Sequence, residues 1–77
     1  MRLKFVDLGG TNRWLCYAYP ETREEQNKFI TWAAESLGET VSVHNDHRSL
    51  MPWTLEVRGK DMMDRTTIAL YWSSDGL

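Results

Sequence analysis

The segment between Pro20 and Gly38 constrains the fold of this chain most, because its apolar residues recur at helical spacing. Pro20 cannot donate to a sheet ladder, so any strand before it ends there. Thr22, with Glu25 three residues on, matches a capping box: the hydroxyl accepts a backbone N–H while the glutamate reaches back. Glu21, Glu24 and Glu25 suit the positive end of a helix dipole. Phe29, Ile30, Ala33, Ala34 and Leu37 are three and four apart and define one face, with Trp32 at its margin. Gly38 is the expected left-handed stop. A helix over residues 21–37 follows.

On either side the chain reads as strands and turns. Residues 2–8 alternate, with Leu3 and Phe5 on one side and Arg2 and Lys4 on the other. Gly9-Gly10-Thr11-Asn12 signals a turn, and residues 14–19 are an aromatic-rich strand, so residues 2–19 are expected to form a β-hairpin. Residues 40–44 alternate with Val41 and Val43 inward, and residues 45–49 form a polar turn. Residues 53–58 alternate with Trp53, Leu55 and Val57 on the core side, and Gly59-Lys60-Asp61 turns the chain. Met62-Met63-Asp64 reads as a helical turn capped by Asp61, or as a loop. Residues 66–72 read as a last strand, and residues 73–76 as a frayed tail. The expected order is β-β-α-β-β-β. Residues 1–77 should form a single small α+β domain, a mostly antiparallel sheet with one helix on one face.

Size sharpens the question of what holds such a domain together. With 77 residues, a single core supplies only about 3–5 kcal/mol. Cys16 is the only cysteine, so no internal disulfide can form. With one cysteine and two histidines, a closed structural zinc site is hard to build. Four Trp, three Tyr and two Phe are the remaining resource, together with association.

Strand alternation decides which rings the helix covers. In residues 14–19 the choice lies between Trp14/Cys16/Ala18 and Leu15/Tyr17/Tyr19. A helix packs closely over small side chains, and a buried tyrosine needs a partner for its hydroxyl, so the first set should face the helix. In residues 66–72, Ile68, Leu70 and Trp72 form the apolar set and leave Thr67, Ala69 and Tyr71 outside. Tyr17, Tyr19 and Tyr71 are then expected on the open sheet face with Leu15, Arg2, Lys4, Thr54, Glu56, Arg58 and His44. Arg13 lies nearby, and the adjacent Met62 and Met63 are a second candidate contact, since exposed methionines adapt to varied partners.

No constellation in the chain carries catalysis. His44-Asn45-Asp46-His47 offers two imidazoles and a carboxylate but no third strong ligand by spacing. Cys16 sits mid-strand among apolar neighbours, where it behaves as a small hydrophobe. The Gly9-Gly10 turn lacks the lysine and the helix of a phosphate loop. No catalytic residue, metal site or cofactor is expected, and the protein is expected not to be an enzyme.

The net charge of −2 gives no general attraction to phosphate backbones or anionic lipid. No stretch approaches the roughly 20 apolar residues of a membrane span. A chain that opens on Met without a secretory leader is expected to be a whole cytoplasmic gene product. The expected function is therefore that of a small protein-binding module acting through the aromatic sheet face. It would be an inhibitor, adaptor or accessory factor, a type frequent in phage and mobile elements. The alternative is a single-stranded nucleic-acid-binding protein that stacks bases on the tyrosines, which the net charge disfavours. Self-association into a homodimer is compatible with either.

Overall fold

A computed structural model describes residues 1–10 and 12–72. The strands β1 (Arg2–Asp7), β2 (Trp14–Tyr19), β3 (Val41–Asn45) and β4 (Leu55–Gly59) form one antiparallel sheet in the order β1-β2-β4-β3. Two helices, α1 (Arg23–Ser36) and α2 (Met62–Trp72), lie on one side of it. Since β2 and β3 each pair antiparallel with β4, they run parallel to one another, and β2–α1–β3 is a split βαβ unit.

The α+β class, the antiparallel sheet and the main helix are those the sequence implies. The last element is not. Residues 66–72 are helical, so the order is β-β-α-β-β-α and the expected fifth strand does not exist. Asp61 caps this helix by accepting a bond from the Met63 N–H at 2.8 Å. The β-branched pair Thr66 and Thr67 is accommodated in the helix by its hydroxyls. Thr66 donates to the Met62 carbonyl at 3.1 Å and Thr67 to that of Met63 at 2.9 Å, the back-bonding that lets threonine sit inside a helix.

Helix α1 begins as expected. The Thr22 hydroxyl accepts from the Glu25 N–H at 3.1 Å, and the Glu25 carboxylate accepts from the Glu21 N–H at 3.1 Å. Gly38 follows the helix with φ of 61°, a left-handed conformation that favours glycine. The buried stripe is rotated from the expected one: Gln26, Phe29, Ala33 and Leu37 point inward, while Ile30 and Ala34 are exposed. The buried Gln26 amide donates to Asn45 Oδ1 and to the Trp53 carbonyl, 3.3 Å each, satisfying a polar group that would otherwise be stranded.

The core lies between the helices and the inner sheet face. Trp14, Cys16, Ala18, Leu55 and Val57 meet Phe29, Ala33, Leu37 and Ile68 there. Phe29 and Trp32 of α1 contact Trp72 of α2 at 5.2 and 5.7 Å between ring centroids, which binds the helices into one layer. Trp14 is fully buried and donates its indole N–H to the Asp61 carbonyl at 2.8 Å, fixing the point where α2 starts. On β1, the Arg65 guanidinium stacks over Phe5 at 4.7 Å and reaches Asp7 at 3.7 Å. Gly59 is the end of β4, beneath Trp14, not part of a turn: a Cβ there would overlap the indole. Trp53, expected in a strand, is half-buried in the connection before β4. None of the helices among the described residues is long and apolar enough to cross a membrane. The expected frayed tail, residues 73–76, lies outside the described residues.

Candidate functional site

Pairing register places side chains on the open sheet face row by row, because directly paired residues of an antiparallel ladder project to the same side. Val6, Leu15, Arg58 and Ser42 form one row across the four strands. Lys4, Tyr17, Glu56 and His44 form the next, and Arg2 pairs with Tyr19 beyond it. Neither helix covers these rows, since both lie against Trp14, Cys16 and Ala18 on the other side of β2. Tyr17 and Tyr19 therefore share the open face with Leu15 and Arg58.

Tyr71 does not belong to this surface. It sits near the end of α2, 72% exposed, with its ring 5.6 Å from that of Trp32. Tyr71 thus lies in the helix layer, across the sheet from Tyr17 and Tyr19. The expected trio dissolves for one reason: a residue that alternates outward in a strand points elsewhere when the segment turns helical. Met62 and Met63 occupy the first turn of α2, also in the helix layer, with Met63 76% exposed. Thr54, expected outside, is buried, its hydroxyl 2.9 Å from that of Ser49 and 3.0 Å from the Met51 carbonyl it donates to. Arg13 is exposed before β2 and lines a cleft at the sheet end with Arg58 and Ser42.

The surroundings of the tyrosines include residues that spacing alone does not bring there. The loop between β3 and β4 curls toward the open face, and Asp46, Arg48 and Ser49 close a shallow depression with Lys4, Tyr17 and Tyr19. This loop is braced from within. Asp46 N–H donates to the Thr54 carbonyl at 2.9 Å, Arg48 N–H to Asp46 Oδ1 at 3.1 Å, and Met51 N–H to Ser49 Oγ at 3.1 Å. The density of Asn, Asp and Ser in this turn was the available sign, since such side chains bond nearby backbone and hold loops in one shape.

Electrostatically the face is uneven. Arg58 is tied to Glu56, with 2.8 Å from its Nη2 to the carboxylate. The Arg2 guanidinium lies over the Tyr19 ring at 5.4 Å from its centroid. No carboxylate of the described residues comes within ion-pair distance of Arg2 or Lys4.

Among the described residues no three His, Cys, Asp or Glu side chains converge on a point where a metal ion could sit. His44 projects from the open face, while Asp46 is engaged by its own loop. Cys16 is buried in the core, and that burial pushes its thiol up to about 12, so almost no thiolate forms near neutral pH.

Comparison with known protein families, with curated proteins and with solved structures returns no match. The functional reading therefore rests on the surface itself.

Proposed function

We propose that this chain is a small non-enzymatic protein-binding module that docks through the open face of its sheet, as an inhibitor, adaptor or accessory factor. One observation carries the reading: Tyr17 and Tyr19 stand on a central strand with Leu15 and Val6 beside them, on the side that neither helix shields. Tyrosine offers large, rigid contact area at low entropic cost and is enriched at binding hot spots. The inert state of Cys16 supports a role without covalent catalysis. A lone buried thiol also suits a reducing compartment, and we assign the protein to the cytoplasm.

A second reading has its own support. Two rings two residues apart on one strand, with Arg2 and Lys4 alongside, resemble a platform for stacking single-stranded bases. Against it, Glu56 stands in the same row as Tyr17, and the chain as a whole is negative.

The test compares the immobilised full chain with Tyr17→Ser/Tyr19→Ser and Tyr71→Ser variants in capture from lysates of candidate hosts. We expect a stoichiometric protein retained by the parent and by Tyr71→Ser but lost from the double variant, with all three showing similar thermal unfolding. Equal retention by the double variant defeats the reading. So does unfolding of the double variant, which would make these tyrosines structural.

A further inference from the structure

We infer that the occupant of the open face is an acidic protein segment, which sets carboxylates on Arg2, Lys4 and Arg48 and an apolar side chain on Tyr17 and Tyr19. This rests on the protein-binding reading and adds the chemistry of the partner.

The charge of the molecule is divided by its layers. Of eleven acidic residues, seven lie at 21–39 or at Asp61 and Asp64, on the helices and their flanks. The open face and its bordering loop instead gather Arg2, Lys4, Arg48 and Arg58 against Glu56 and Asp46. Both carboxylates are already engaged, Glu56 by Arg58 and Asp46 by Arg48, whose N–H donates to it at 3.1 Å and whose Nε lies 4.0 Å away, which leaves Arg2 and Lys4 without an ion-pair partner among the described residues. A chain that is negative overall therefore presents unneutralised positive charge, at Arg2 and Lys4, beside the half-buried rings of Tyr17 and Tyr19. Complementary charge across an interface governs encounter and partner choice, so the fitting surface is one that carries carboxylates.

The other occupants fit less well. Two copies meeting face to face would bring the same cations together, which opposes a symmetric pair. Nucleic acid draws its affinity from neutralising many phosphates in a row, and this face has few cations to offer. One ring face of Tyr19 is already taken by the Arg2 guanidinium, which removes a stacking surface. A peptide needs only two or three carboxylates at the right spacing and an apolar residue for the depression between Lys4 and the loop.

The experiment titrates isotope-labelled full-length protein with three probes and follows backbone amide shifts. The probes are a short peptide alternating Glu and Leu, its Lys/Leu counterpart, and oligothymidylate. We expect the Glu peptide alone to shift residues around Lys4, Tyr17, Tyr19 and Arg48, with binding at least about tenfold weaker in Arg2→Gln/Lys4→Gln and at high salt. Unfolding curves confirm that the variant is intact, and single Arg2→Gln and Lys4→Gln variants replace it if it is not. Equal binding of the Lys peptide at the same residues overturns the acidic assignment while leaving a protein-binding face. Oligothymidylate shifting these residues when the Glu peptide does not overturns both. Silence of all three probes overturns the inference.

Discussion

At the scale of single residues, Gly59 and Cys16 show how little slack the core has. Gly59 pairs with Trp14 across the β2–β4 seam, and the indole occupies the space a side chain would need. Gly59→Ala should destabilise the protein by about 1–3 kcal/mol, the usual range for overpacking, measured by urea unfolding. An unchanged midpoint would mean that the indole swings aside at no cost. Cys16 responds to pH through its burial. Its folded-state value lies near 12 against 9.0 for a free thiol, so between these values the unfolded chain ionises and the folded one does not. Stability from this group is complete below pH 9 and declines as pH rises toward 12, by up to about 1.4 kcal/mol per pH unit. A Cys16→Ala variant should lack that part of the alkaline decline. In the native parent a thiol reagent at pH 8 should label Cys16 only as fast as the protein unfolds.

At the scale of elements, α2 depends on its first turn. Asp61→Ala removes the acceptor for the Met63 N–H and should cost about 1 kcal/mol, with loss of helical circular dichroism on mild heating. If melting is unaltered, packing of Ile68 and Trp72 holds the helix without its cap. This element also marks where the sequence ceased to be readable. Asp61 was recognisable as a cap, but Thr66, Thr67 and Ile68 look like strand residues by propensity. Within the helix the threonine hydroxyls are satisfied locally on Met62 and Met63, and what holds the segment there is burial of Ile68 and packing of Trp72 on the rings of α1, which are tertiary facts. By contrast α1 announced both ends, through Thr22 and Gly38, and β2 was legible to the residue. The inward set Trp14, Cys16 and Ala18 followed from the small size of Cys16 and Ala18 and from the hydroxyl partners that buried tyrosines would need, so the open face of β2 was legible too. Tyr71 went astray with α2. Arg48 was missed because only a folded loop brings it beside Tyr17 and Tyr19.

At the scale of the whole molecule, the two layers divide the labour. The helices close the core on one side, binding Phe29, Trp32 and Trp72 into a cluster, and neither of them covers the other side of the sheet. The order of the strands has its own consequence. Each hairpin can zip from contacts local in the chain, yet the central seam joins Trp14 to Gly59 and Ala18 to Leu55, remote in sequence. Neither half owns an interior until that seam closes, so the entropy of a long loop is spent before much apolar surface is recovered. Such a chain hesitates before folding and then commits as a unit, with no half able to survive the loss of its complement.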